Sequence, residues 1–228
     1  MAQVKQVATV GVKTLVKPDK THGLTQSVQP RIGLLGGSFD PIHTAHIKLA
    51  CAARDHFNLD LVMLIPAGQP WQRDALQVNG YHRMEMVKLA ISNQAKLTAC
   101  SLEIDRNGPT YTIETLKSLD PKALYYWILG ADQLNNFCTW HKWSDIAKRV
   151  TLVVAQRPLS ALSVPRLLQE QINKGSAKLE VLPFEALSIS ASEVRNRLLQ
   201  QQSVESLLDK HVLQYIETYN LYGTKPEK

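Results

Sequence analysis

Ile32-Gly-Leu-Leu-Gly-Gly-Ser-Phe-Asp-Pro-Ile-His-Thr-Ala-His46 decides how the rest of the chain is read. An apolar run ends in the pair Gly36-Gly37, and glycine permits both a tight turn and a close backbone approach to a ligand. Asp40-Pro41 then makes a rigid bend, and a helix begins near Thr44. Strand, glycine turn and helix start leave a phosphate-sized space between loop amides and a helix N-terminus. His43 and His46 share one face of the first helical turn. Two imidazoles there can donate to phosphate oxygens, and the anion in turn favours their protonated forms. The spacing is not GxGxxG, and no GxxxxGK occurs in the chain, so the dinucleotide fingerprint and the P-loop lose their usual support.

Outward from this stretch, short apolar runs alternate with amphipathic ones, the signature of βαβ units and a parallel sheet. Strands are expected at Ile32–Leu35, Leu61–Ile65, Leu97–Ala99, Leu124–Leu129, Thr151–Ala155 and Lys178–Leu182. Helices are expected at Thr44–Phe57, Tyr81–Asn93, Thr112–Leu119, Trp143–Lys148, Val164–Lys174 and Ala191–Gln200. The expected fold is α/β: one doubly wound, Rossmann-like, mostly parallel sheet flanked by helices, over residues 31–228. Its ligand crevice belongs at the carboxyl ends of the strands.

The first thirty residues read differently. Scattered valines among Lys, Gln and Thr give way to Lys17-Pro-Asp-Lys-Thr-His-Gly, which breaks any regular element. There is no continuous apolar run of the signal-peptide kind, and the first arginine is Arg31, so an Arg-rich presequence is not supported. Residues 1–30 are expected to be a poorly ordered extension.

Composition narrows the class. Of 228 residues, 44% are hydrophobic and 20% charged, a globular balance that excludes disorder along most of the chain. Apolar runs such as Leu61–Ile65 fall far short of the ~18–20 residues needed to cross a bilayer, so a soluble protein with no membrane partner is expected. The net charge of +6 favours anionic partners without separating nucleic acid from mononucleotides. The chain has no RNP-type aromatic motif or basic run, so no nucleic-acid partner is expected. Three well-separated cysteines with no CxxC argue against a disulfide framework and suit a reducing cytoplasm.

A second phosphate-type stretch, Ile189-Ser-Ala-Ser-Glu-Val-Arg195, opens the penultimate helical segment. Ser190 with Glu193 reads as a capping box, which needs no ligand. Ser192 and Arg195 also share one face at a helix end that favours anions, and hydroxyls with a guanidinium make a polyphosphate clamp. Both readings can hold together.

Two middle segments bear on a second substrate. Asp105-Arg-Asn-Gly-Pro-Thr-Tyr-Thr-Ile-Glu-Thr-Leu116 is a turn-rich loop feeding a helix, either an ordinary Thr cap or a carboxylate site made of amides and hydroxyls. Ile128-Leu-Gly-Ala-Asp-Gln-Leu134 leaves a strand end, and Thr139-Trp-His-Lys-Trp143 follows. Trp140 there suits stacking on a flat ring or anchoring the core.

GGSFDPIHTAH resembles the first signature of the nucleotidyltransferases that carry an HxGH motif, with His43 and His46 on its two histidines and Ala45 in place of its glycine. The segment from Ile189 resembles their second signature, ISxTxxR, with Ser192 for threonine. The middle of the chain resembles the nicotinate-nucleotide adenylyltransferase family within that group. Arg106, Gly108, Tyr111, Thr112, Thr115 and Leu116 match its R-x-G-x-SYT-x-x-TL stretch, with Thr110 for serine. Gly130, Asp132 and Leu134 match its GxDxL segment, and Thr139-Trp140 its TW pair.

The resemblance, which runs from about Ile32 to Tyr222, implies a nucleotidyltransferase-type fold. It implies Mg²⁺-dependent adenylyl transfer from ATP to nicotinate mononucleotide, releasing pyrophosphate, with Mg²⁺ carried on the ATP phosphates. His43, His46 and Arg195 are the implied catalytic residues. Gly36, Gly37, Ser38, Phe39, Ser190 and Ser192 join them in the implied ATP site. Thr110, Tyr111, Thr112, Asp132 and Trp140 are implied for the pyridine nucleotide, with Trp140 stacked on its ring. Arg73, in a loop that departs from the commoner Pro-Pro-His-Lys form, and Arg157, in an Arg-Pro pair, complete the substrate set. The alternatives are another HxGH adenylyl- or cytidylyltransferase, such as one acting on phosphopantetheine, and a non-catalytic nucleotide-binding module.

Overall fold

Parallel strands buried on both faces need apolar side chains in both directions, and the central strands supply them. Leu34 and Leu35, adjacent on the first strand, enter two different core clusters, as do Ile128 and Leu129. The computed structural model describes residues 29–68, 76–157, 161–185 and 187–224. Arg73, and all of the N-terminal extension except Gln29 and Pro30, lie outside them.

Six strands form one sheet: β1 Arg31–Gly37, β2 Leu61–Pro66, β3 Leu97–Ala99, β4 Leu124–Gly130, β5 Thr151–Gln156 and β6 Lys178–Pro183. Their order is β3-β2-β1-β4-β5-β6, and every neighbouring pair is parallel. The helices are α1 Thr44–His56, α2 Gly80–Ile91, α3 Thr112–Lys117, α4 Ala131–Asn135, α5 Trp143–Arg149, α6 Arg166–Asn173, α7 Ala191–Leu199 and α8 Lys210–Thr218. Residues of α1, α2, α7 and α8 fill one cluster, and residues of α3, α4, α5 and α6 fill the other. The sheet is therefore doubly wound. Burying each large aliphatic side chain in these layers contributes about 1.5–3 kcal/mol.

Every expected strand and helix is present, with ends that differ by a residue or two. The expected start of α6 at Val164 is corrected: Pro165 is the N-cap in an extended conformation (φ −54°, ψ 135°), and a residue before proline is pushed out of the helical region. No bounds were expected for α4, whose first residue directly follows β4, nor for α8.

The strand order reverses direction between β1 and β4, which is where a doubly wound sheet opens a crevice. β1 and β4 are paired from Arg31 with Leu124 to Leu34 with Trp127 and then part company before Gly37 and Gly130. All three cysteines are free. Among the described residues, no helix is long and apolar enough to cross a membrane.

Candidate active site

The paired glycines act somewhat differently from the sequence expectation. Both still belong to β1, opposite Ile65 and Pro66 of β2. A Cβ on Gly36 would stand 3.2 Å from the Trp127 ring, and one on Gly37 would stand 2.9 Å from the Phe39 ring. They are needed for close packing at the crevice floor, and the left-handed backbone of the turn falls on Phe39 instead, at φ 46°. Such a conformation costs a non-glycine residue ~1–2 kcal/mol, so its surroundings must hold it. The Phe39 ring is buried and meets His46 edge-on at 5.0 Å between centroids. Of Phe39, only the backbone is left to face a ligand.

Asp40 anchors the same loop. Its buried carboxylate accepts from the Tyr222 hydroxyl at 2.7 Å and from the Gln77 amide at 2.8 Å. Burial and this carboxylate together push the Tyr222 phenol far above its ordinary range, so it is a fixed donor. His43 is the N-cap of α1 in an extended conformation, and its ring stacks on that of His46 at 3.7 Å. The His43 amide donates to Nδ1 of His46 at 3.3 Å, which leaves the neutral His46 ring its proton on Nε2. His43 is 6% exposed, and burial holds its pKa down to about 4 against the opposing pull of Glu193. In the ligand-free chain it is therefore neutral, and the positive charge expected on it requires a bound anion to raise its pKa.

The second stretch meets the first across the fold. Ser190 caps α7, accepting from the Glu193 amide at 3.1 Å. Only this half of the expected capping box is made, because the Glu193 carboxylate pairs with Arg197 at 2.8 Å. Arg195 donates to the Asp40 carbonyl at 2.7 Å and to the Ser192 hydroxyl at 3.3 Å. Arg195 thus ties the start of α7, which carries Ser190 and Ser192, to the loop after β1, which leads into His43 and His46.

Beside them lies a cavity of about 350 Å³. Gly36, Gly37 and Ser38 form its border with the loop after β1, and Thr110, Tyr111, Thr112, Asp132 and Trp140 are among the residues that line it further in. Trp140 belongs to the core and also borders the cavity. It packs against Phe137 at 5.4 Å and edge-on to Trp127 at 6.2 Å, while part of it lines the cavity. Arg157, just past β5, is exposed and is not among the lining residues.

The sequence reading passed over several site residues. Glu103, Trp127, Gln133 and His141 line the cavity, and the His141 ring lies 4.6 Å from that of Tyr111. The Glu103 carboxylate accepts from the Thr115 hydroxyl at 2.9 Å. Burial raises its pKa, opposed by Thr115, Arg106, the Gly68 amide and Thr110. Arg83 is 1% exposed, and burial lowers its pKa against the pull of Asp40. Glu103 sits in a loop and Arg83 among the ordinary residues of the expected helix Tyr81–Asn93, so neither carried a local sign. Among the described residues, no group of three or more His, Cys, Asp or Glu is placed to hold a metal ion.

The cytidylyltransferase-like family model matches residues 34–197 of this chain. Over 192 residues the chain is 46% identical to a probable nicotinate-nucleotide adenylyltransferase of Bordetella parapertussis, covering 84% of this chain and 98% of that relative. A probable nicotinate-nucleotide adenylyltransferase of Methylibium petroleiphilum is 37% identical over 207 residues, covering 88% and 96%. Among solved structures, the Plasmodium falciparum nicotinic acid mononucleotide adenylyltransferase complexed with NaAD is similar in fold, with a TM-score of 0.69. It is 23% identical, and the match covers 87% of this chain and all of that one.

Proposed function

This chain belongs to the nicotinate-nucleotide adenylyltransferase family, of cytidylyltransferase-like fold, and we propose that it joins ATP to nicotinate mononucleotide in NAD synthesis. The products are nicotinate adenine dinucleotide and pyrophosphate. One observation carries the reading: the two phosphate-type stretches meet at Asp40, beside a cavity that presents Trp140 and Tyr111.

The mononucleotide phosphate attacks the α-phosphorus of ATP in line, forming the new P–O bond as the bond to pyrophosphate breaks. A phosphate monoester has a second pKa of about 6 and is already an anionic nucleophile near neutral pH, so no general base is needed. Catalysis then rests on alignment and charge stabilisation. His43 and His46 donate to the α-phosphate and its developing charge, with the amides of Gly36, Gly37, Ser38 and Phe39 assisting. Ser190, Ser192 and Arg195 hold the β- and γ-phosphates, and Arg195 exchanges its contact with the Asp40 carbonyl for phosphate oxygens.

Trp140 stacks on the pyridine ring, Thr110, Tyr111 and Thr112 receive its carboxylate, and Asp132 positions the nucleotides. Arg73 reaches a phosphate, and Arg157 faces the substrate. Mg²⁺ carried on the ATP phosphates would supply neutralisation of their charge. Asp40, in the phosphate loop, commits both carboxylate oxygens to Tyr222 and Gln77, so it suits an ion held by the phosphates and not by the loop.

The test is incubation with ATP, Mg²⁺ and, in parallel, nicotinate mononucleotide, nicotinamide mononucleotide or phosphopantetheine. Chromatography of the product and pyrophosphate release are both read. The expected result is nicotinate adenine dinucleotide with stoichiometric pyrophosphate. Product from phosphopantetheine alone, or ATP binding with no pyrophosphate, would overturn the reading.

A further inference from the structure

Arg83 and Glu103 are buried ionisable residues that the reaction above does not use. Arg83, on α2, donates through Nη1 to the Ser38 carbonyl at 2.8 Å and through Nε to the Val78 carbonyl at 3.1 Å. Its Nη2 lies 3.5 Å from the Gly68 carbonyl, a longer and weaker contact. All three partners are backbone carbonyls. A planar guanidinium can span two of them at once, whereas an ammonium acts as a point charge.

Gly68 in turn is pressed against the loop that follows β3. A Cβ on it would come within 2.1 Å of the Glu103 carbonyl oxygen and 2.9 Å of Thr110 Cγ2. From the other side of Glu103, the Thr115 hydroxyl reaches its carboxylate at 2.9 Å. The adjoining Ala67 amide donates to the Gly37 carbonyl at 2.8 Å. The loops after β1, β2 and β3 are thereby joined in one strip: Ser38, Arg83, Gly68, Glu103 and Thr110. Ser38 stands at one end, in the loop proposed for ATP, and Thr110 at the other, in the loop proposed for the pyridine carboxylate.

Burying charge here is costly, and well-packed apolar side chains would serve stability at least as well. An in-line reaction between two bound substrates does need the strip, because misplacement by an ångström can cost about a hundredfold in rate. We infer that Arg83 and Glu103 are positioning residues that act through the Gly68 peptide to hold the ATP loop and the pyridine loop in a single register. The inference rests on the proposed reaction. Its distinguishing consequence is that disturbing either residue disturbs the substrate on the far side.

The test compares the full-length chain with Arg83→Lys, Glu103→Gln and the double variant, measuring kcat, the KM of each substrate and thermal unfolding. Arg83 does not line the cavity, yet Arg83→Lys should raise the KM for nicotinate mononucleotide as well as that for ATP. It should also lower kcat roughly 10–100-fold. Glu103→Gln, on the pyridine side, should raise the KM for ATP. The double variant should fall well short of the product of the two single effects, because both act through one peptide.

Effects confined to the nearer substrate and multiplying in the double variant would overturn the inference. So would a lower Tm with kcat and both KM values unchanged. If either variant fails to fold, Thr115→Val removes the donor to Glu103, and its effect on the KM for ATP takes the same two readings. Wild-type chain that forms no dinucleotide would refute the proposed reaction instead. The register is then read by calorimetry from ATP affinity alone, which Glu103→Gln must weaken and which an isolated pyridine loop would leave unchanged.

Discussion

The two halves of the site are built in opposite ways. The half proposed for phosphate is assembled from two short motifs, the loop after β1 and the start of α7, which meet where Arg195 donates to the Asp40 carbonyl. The groups proposed to bind there are amides, imidazoles, hydroxyls and one guanidinium, all suited to an anion whose shape never varies. The half proposed for the pyridine nucleotide is gathered from the ends of β1, β3 and β4 and from the turn that carries Trp140, and it mixes aromatic rings with hydroxyls, side-chain amides and the acidic residues Glu103 and Asp132. A triphosphate can be recognised by a local motif because backbone amides and a helix start already form its complement. A flat ring with one carboxylate needs surfaces that only distant segments together can enclose.

This contrast is testable at both ends, and the largest effect is expected in the phosphate half. His46→Ala should lower kcat about 10²–10³-fold, or about 2.7–4 kcal/mol, as the loss of one preorganised donor does. Steady-state kinetics with an unchanged KM for nicotinate mononucleotide would place the loss on that side alone.

Next comes the acid response of His43. Its folded pKa of about 4 lies below the ordinary value of 6.5, so the unfolded chain binds the extra proton first. Its contribution is fully present above pH 6.5, declines as pH falls between the two values and is gone below about 4. Over that window the loss is on the order of 3 kcal/mol. Urea unfolding from pH 7 to pH 4.5 should show this slope, His43→Asn should flatten it, and saturating ATP should shift it toward lower pH dependence.

Arg195→Ala should raise the KM for ATP by roughly one to two decades, since hydrogen bonds to charged groups contribute ~1.5–3 kcal/mol. An unchanged KM for ATP would remove the clamp and reduce Arg195 to a brace on Asp40. On the pyridine side, Trp140→Ala should raise the KM for the mononucleotide by about 1–3 kcal/mol of lost stacking. It should also lower Tm, because the same ring packs on Phe137 and Trp127. A fall in Tm with the KM unmoved would make Trp140 purely a core residue. Last is Tyr222→Phe, which deprives the buried Asp40 carboxylate of one donor at 2.7 Å and should cost about 1.5–3 kcal/mol in denaturant unfolding.

Legibility followed the same division. The strands were readable because apolar runs bounded by turn residues are local signals, and α7 because Ser190 caps it and Arg195 shares a face with Ser192. That His43 and His46 lie side by side at the start of α1 was readable from spacing, though not the stacking of their rings or the neutrality of His43, which burial imposes from other segments. Glu103, Arg83 and His141 were not readable. Glu103 looked like one more loop carboxylate, and Arg83 stood among ordinary residues of an amphipathic helix.

By itself the sequence determined the alternation of strand and helix and the two phosphate-type stretches, since each depends on neighbours only a few positions away. The tertiary structure alone decided that these stretches meet at Asp40, that Trp140 divides itself between core and cavity, and that Arg83 and Glu103 close on Gly68. The physical reason is burial: desolvation, ring contacts and carbonyl partners come from segments brought together by the crossovers of a doubly wound sheet, and no local pattern encodes them.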